Sequence, residues 1–231
     1  MRIGIVSDLH LPFDHPGYLH FVMDTFDQWQ VEHVHFIGDV VEHHRLSQWE
    51  DNPEGHSAER EAELAQECVH RWTKVWPEAT VSIGNHDNRH YRKARSVGVP
   101  DRYCKTYKDV WNTPDWDWQD SHIFDGVLYE HGTGSSGKNG AINRAINKRM
   151  SVVIGHTHAW GGVVYHSNDT SRIFALNVGC GIDISAYCFA YGASMPNRPT
   201  LGCGVVIDGW FGAFEPMRCG QGEKYHRSNF V

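Results

Sequence analysis

Residues 80–90 read TVSIGNHDNRH. The first four suit a buried strand, and the run then breaks at Gly84 into Asn85, His86 and Asp87, three polar side chains with nothing apolar to pack on. A strand that stops at a tight glycine turn and presents an amide, an imidazole and a carboxylate displays chemistry at its C-terminal edge. The same punctuation recurs along the chain. Asp8 and His10 follow the strand pattern of residues 2–7, Gly38-Asp39 closes residues 34–37, His131 lies in the polar edge Glu130-His131-Gly132, and His156 and His158 follow residues 151–154. In an α/β sheet the loops at the carboxyl ends of strands converge on one crevice, so these groups are expected to meet.

Between these edges the pattern alternates strand and helix. Tyr18 to Trp29 place Leu19, Val22, Phe26 and Trp29 on one helical face, and Ser57 is a good N-cap for an Ala/Glu-rich helix that runs to about Val75 and is stopped by Pro77. A basic helical stretch follows residue 89, then a Trp-rich loop, WNTPDWDW (111–118). Residues 122–131 read as a hairpin turning at Asp125-Gly126, and a helix is expected around residues 141–149. The last third, with GVVY, RIFALNVG, CGVVID and FGAFE between turn residues, reads as an antiparallel β meander over residues 161–216, followed by a polar tail at 221–231. Strand-helix alternation early and hairpins late imply an α/β (α+β sandwich) architecture, two packed sheets flanked by helices.

Length and composition set bounds on this reading. At 231 residues the chain suits one domain, 1–231, because a split in two would leave each half short of buried surface. The opening MRIGIVSDLH enters a strand directly, with no apolar signal region, and no apolar run approaches a membrane span, so a cytoplasmic protein with no membrane partner is expected. Six cysteines without CxxC pairing read as reduced thiols. The net charge of −7 argues against a generic polyanion binder, yet residues 89–108 carry seven Lys/Arg against one Asp, and residues 137–149 four against none.

His10, His131, His156 and His158 with Asp8, Asp39 and Asn85 form a mixed N/O donor set, which suits manganese, iron, zinc or nickel better than a thiolate-seeking ion. Seven donors are too many for one tetrahedral ion and about right for two divalent metal ions bridged by one carboxylate and a solvent molecule, the arrangement that clamps the attacking and leaving oxygens of a phosphoryl displacement.

SDLH (7–10), GDVVE (38–42), GNHD (84–87), EHG (130–132) and GHTH (155–158), in this order, resemble the signature motifs of the calcineurin-like metallophosphoesterase superfamily. The motifs span residues 7–158, and five in order are far more specific than any one alone. The resemblance implies two mixed sheets packed face to face between helical layers, a four-layer fold. It implies that Asp8, His10 and His158 hold one metal, that Asn85, His131 and His156 hold the other, and that Asp39 bridges them, manganese being the first expectation. It further implies that His86 protonates the leaving oxygen, with Asp87 beside it to orient it, while a water between the metals is the nucleophile. A neutral Asn85 donates oxygen without adding negative charge, and an unligated His86 keeps a nitrogen free to deliver a proton.

Two departures steer the substrate class. Glu42 stands where many relatives carry Asp or Asn, and His43-His44 replace the Arg-Gly of the protein-phosphatase branch, which also has GNHE where this chain has GNHD. Both point to the nuclease and phosphodiesterase side, while the compact size and the HG loop followed by a Gly/Ser/Lys stretch resemble small phage- or bacterium-type members. A phosphate-ester substrate of phosphodiester or nucleotide type is therefore expected. The alternatives are a DNA or RNA nuclease tracking its substrate along the basic stretches, and a catalytically inert scaffold.

Other features have plainer readings. HGTGSSGKNG (131–140) evokes a phosphate-cradling loop, but Asn139 follows Lys138, so the P-loop pattern fails. Trp111, Trp116 and Trp118 suit core packing better than base stacking. His33, His35, His43, His44, His90, His122 and His166 are read as satisfied or exposed imidazoles. Arg89 and Arg92 begin at the metal-site edge and are candidates for phosphate contact.

Overall fold

The computed structural model describes residues 1–47, 55–189 and 197–218. Strand β1 (Arg2–Val6) shows how the sequence builds layers. Ile3 and Ile5 point one way, into a cluster with Ile37, Tyr129, Val153 and Leu176, while Val6 points the other way, into a cluster with Phe26, Phe36 and Trp72. Gly4 lies on that second face, where an added Cβ would come within 2.6 Å of the Phe26 ring. Its lack of a side chain lets helix α1 (Tyr18–Trp29) lie directly on the strand.

One mixed sheet contains β1, β2 (His33–Phe36), β3 (Ala79–Ser82), β4 (Trp116–Gln119), β10 (Gly202–Ile207) and β11 (Phe211–Pro216), in the order β11-β10-β1-β2-β3-β4. β1 to β4 run parallel, while β10 is antiparallel to β1 and to β11. The other sheet orders β5 (Ser121–Phe124), β6 (Val127–Glu130), β7 (Ser151–Ile154), β9 (Arg172–Val178) and β8 (Gly161–Ser167) as β5-β6-β7-β9-β8. Its centre, β6-β7-β9, is parallel and both edges are antiparallel. Helices α1 and α2 (Ala58–Val75) cover the outer face of the first sheet through Val22, Phe26, Val69 and Trp72. Helix α5 (Gly140–Lys148) covers the second through Ala141 and Ala145 against Val152, Ile154 and Ala175. The expected α/β sandwich of two mixed sheets flanked by helices is thus the fold observed.

Ser57 caps α2 by accepting from the Arg60 amide, and the β5-β6 hairpin turns at Asp125 and Gly126, both with positive φ. On α1 the buried stripe is Tyr18, Phe21, Val22, Thr25 and Phe26, rotated from the expected one, so Leu19 and Trp29 are only half-buried. Three expectations need correction. The C-terminal strands are not one meander but two hairpins, β8-β9 and β10-β11, added to different sheets, with β9 parallel to β7. Alternation and turn residues predict a hairpin but are silent on which sheet edge receives it. The Trp-rich segment is no loop: α4 (Tyr107–Trp111) enters it and its end forms β4, where Trp116 stacks on Phe36 at 4.4 Å and Trp118 on Tyr107 at 5.0 Å. The basic stretch is broken near Gly98 and Pro100 into α3 (Arg89–Ser96) and α4. The tail at 221–231 lies outside the described residues. Cys68, Cys104, Cys180, Cys188 and Cys203 are free thiols. No described helix is long and apolar enough to cross a membrane.

β2 carries histidines into the layer between the sheets. Ser82 Oγ donates to the Tyr129 carbonyl at 2.9 Å, so it accepts from His35 Nε2, and His35 Nδ1 then accepts from Thr80 Oγ1 at 2.8 Å. The fully buried imidazole is satisfied as the neutral form, and burial first, then the nearby His122 and His33, hold its pKa well below the usual range.

Candidate metal centre

All five polar strand edges meet at one end of the sandwich. The turns there need left-handed backbone: Asp8 (φ 47°), His10 (φ 50°), Asp39 (φ 48°) and His156 (φ 66°) all adopt it, each at a cost on the order of 1 kcal/mol. Two glycines make room for them. A Cβ on Gly84 would land on the amide and carboxylate of Asp39, and one on Gly38 would come within 2.7 Å of His131 Nδ1.

Each aspartate anchors one oxygen and aims the other inward. Asp8 Oδ2 accepts from the His156 amide at 2.9 Å and from Ser7 Oγ, while Oδ1 faces His158 Nε2 at 2.9 Å. Asp39 Oδ1 accepts from the His86 amide at 2.7 Å, while Oδ2 lies 3.1 Å from His131 Nε2 and 3.7 Å from His10 Nε2. The imidazoles are oriented in the same manner. His131 donates Nδ1–H to the Ile37 carbonyl at 2.9 Å and His10 donates Nδ1–H to Glu42, so both turn Nε2 to the centre.

Two donor groups result, sharing Asp39. His10 Nε2 and His158 Nε2 stand 3.1 Å apart beside Asp8 Oδ1. His131 Nε2 lies 3.2 Å from both Asn85 Oδ1 and His156 Nδ1. Nitrogen and oxygen lone pairs aimed at one another repel unless a cation or proton lies between them, and three triads, Asp8/His10/His158, His10/Asp39/His86 and Asp39/His131/His156, each bring their ligand atoms within 4.8 Å of one another. The donor chemistry and this convergence fit divalent metal. Burial opposes the charged form of His10, yet hydrogen bonds to Asp8 and Glu42 outweigh it and raise the pKa to about 10. His131 is raised to about 9 by Asp39 in the same contest with burial. The carboxylates thus create a field that demands positive charge at the centre.

All seven expected donors are therefore together, and His86 stands at their rim with Nε2 3.9 Å from Asp39 Oδ2. Among the described residues the Asp87 carboxylate makes no hydrogen bond to the His86 ring. Its buried carboxylate accepts from the Val41 amide at 3.0 Å and the Gly84 amide at 2.9 Å, tying the GNHD turn to the GDVVE loop. The carboxylate on His86 is Glu42, which is 3% exposed and accepts from His86 Nδ1 at 2.8 Å, from His10 Nδ1, and from Arg89 Nη1 at 2.8 Å. Sequence reasoning met Glu42 only as a departure from a pattern. Its position four residues past Gly38-Asp39's glycine, on the loop facing GNHD, was the available signal. Among the extra histidines, His90 donates to the Asp87 carbonyl at 3.0 Å, and His43 packs on Trp111 with burial lowering its pKa to about 4.

The model of the calcineurin-like phosphoesterase family matches residues 1–189. The chain belongs to this family. Its members hydrolyse phosphate esters with divalent metals, and the His/Asp clusters of this phosphoesterase are where metal would bind. Among solved structures, a metallophosphoesterase from Sphaerobacter thermophilus is similar, at 17% identity over 94% of this chain and 87% of that one, with a TM-score of 0.52. A phosphoesterase from E. coli is 18% identical over 90% and 88% of the two chains, with a TM-score of 0.40. Vacuolar protein sorting 29 from Cryptosporidium parvum is 11% identical over 93% and 96%, with a TM-score of 0.46. No curated protein matches the sequence.

Proposed function

We propose that this phosphoesterase hydrolyses a phosphodiester or nucleotide-type substrate at a two-metal centre. Asp8, His10 and His158 would hold one ion, Asn85, His131 and His156 the other, with Asp39 between them and His86 as general acid. The observation that carries the reading is Asp39 Oδ2, which faces His131 Nε2 at 3.1 Å on one side and His10 Nε2 at 3.7 Å on the other. When bound, two cations there supply positive charge to the phosphate oxygens and a water of lowered pKa.

The chain's own groups complete the chemistry. A water adds to phosphorus and loses its proton to solvent, the bond from phosphorus to the leaving oxygen breaks, and His86 gives that oxygen a proton. Glu42 holds the His86 ring through Nδ1, leaving Nε2 toward the site. Arg89 Nη2, which can only donate, occupies that nitrogen's lone pair at 3.1 Å; a phosphate arriving there meets the guanidinium and draws it away, which frees Nε2 to take up the proton it delivers.

The test is hydrolysis of bis-p-nitrophenyl phosphate and p-nitrophenyl phosphate by metal-stripped enzyme reloaded with manganese, zinc, nickel or magnesium, beside His86→Ala. Diester cleavage that requires metal and collapses in the variant is expected, with manganese the best cofactor. Monoester preference would overturn the diester assignment, and silence with every metal would overturn the enzyme reading.

A further inference from the structure

Beside the GNHD turn lies a polar cleft of about 190 Å³ lined by Asn85 and His86 of that turn and, along one wall, by Arg89, Arg92, Lys93 and Ser96. These four wall residues are spaced three and four apart on α3, so one face of the helix forms the wall. The helix contains no acidic residue. Arg89 and Arg92 sit in the first turn, where the helix dipole disfavours them, and Arg89, Arg92 and Lys93 stand at spacings where like charges repel.

Within α3 the other cations have partners. Arg95, which does not line the cleft, pairs with Asp101 at 2.8 Å, and Arg89 is held by Glu42. Arg92 and Lys93 are exposed and make no ion pair among the described residues, in a chain with 28 Asp/Glu to supply one. Two neighbouring cations, left unpaired at a local cost and lining a cleft that opens on the proton donor, have the chemistry of an anion subsite.

Building on the phosphodiesterase reading, we propose that Arg92 and Lys93 bind a second phosphate of the substrate, carried on the leaving fragment. The side follows from His86: the group that protonates the leaving oxygen lines the same cleft as α3, so the fragment that departs extends along α3. One helical turn separates Arg89 from Arg92 and Lys93, so the second phosphate lies one linkage beyond the scissile bond, as in a nucleotide chain.

The experiment compares an unphosphorylated dinucleotide with the same dinucleotide bearing a terminal phosphate at its 5′ end or at its 3′ end. Product analysis shows which fragment keeps the scissile phosphate and therefore which one leaves. A terminal phosphate on the leaving fragment is expected to raise kcat/KM about tenfold, from two exposed charge contacts, and the gain should shrink at high salt. In Arg92→Ala/Lys93→Ala the ratio of phosphorylated to unphosphorylated substrate should fall toward one, and in Arg92→Glu below it. Arg95→Ala should keep the parental ratio. An equal effect of phosphate at both ends, no gain at all, or a gain that survives the double substitution overturns the subsite. Cleavage of the unphosphorylated dinucleotide or of bis-p-nitrophenyl phosphate reports separately on the phosphodiesterase reading.

Discussion

Replacing Glu42 with Gln should impair catalysis in a way that depends on the leaving group. The Glu42 carboxylate takes Arg89 on Oε1 and both His10 and His86 on Oε2. A glutamine has one acceptor oxygen, so its cheaper orientation keeps that oxygen on the imidazoles and turns the amide toward Arg89. The two imidazole bonds then survive as neutral ones. Losing the charge about halves such a bond, on the order of 1 kcal/mol each in this buried position. On the proposed mechanism, the His10 share weakens the orientation of a metal ligand, and the His86 share weakens the group proposed to protonate the leaving oxygen. Together they amount to about 2 kcal/mol, a fall of 10- to 100-fold in kcat/KM. The assay is kcat/KM with equal metal loading on bis-p-nitrophenyl phosphate, whose phenoxide leaves with little protonation, and on a dinucleotide, whose alkoxide needs it. The dinucleotide should lose about fivefold more than the activated diester, the His86 share alone. Asp87→Asn should show no such split, because Asp87 holds the Val41 and Gly84 amides instead. Equal losses on both substrates, or less than about threefold on either, would refute Glu42 as the residue that positions His86.

Gly84→Ala places a methyl 2.9 Å from the Asp39 carboxyl carbon and closer to its amide, so Asp39 must move, at a cost of about 1–3 kcal/mol. Metal analysis of the purified variant should find fewer than two ions per chain, and a full pair would show that Asp39 is not shared. His35 is depressed in the folded chain, so its contribution to stability is present above pH 6.5 and is lost as pH falls toward the folded pKa. Urea unfolding at pH 7.5 and 5.5 should differ by about 1 kcal/mol on this account, and the slope should flatten by one proton in His35→Gln. An unchanged slope would mean that His35 titrates normally in the fold.

The residues of the candidate centre were legible because each follows a strand that announces itself. Five apolar runs each end in His, Asp or Asn, and turns at the carboxyl ends of parallel strands gather in space whatever the helices between them do. Local sequence also carried the Ser57 cap, the Asp125-Gly126 turn and the alternation of β1, since these depend on neighbours a few residues away. What tertiary structure alone decided is which distant groups touch. The two C-terminal hairpins join different sheets, and the Trp-rich segment becomes β4 because Trp116 finds Phe36. The polar carboxylates trade expected places, Glu42 reaching His86 while Asp87 turns to two buried amides. A side chain's local pattern fixes its face and its chemistry, but its partner lies 44 residues away for His86 and Glu42, and only packing brings such a pair together.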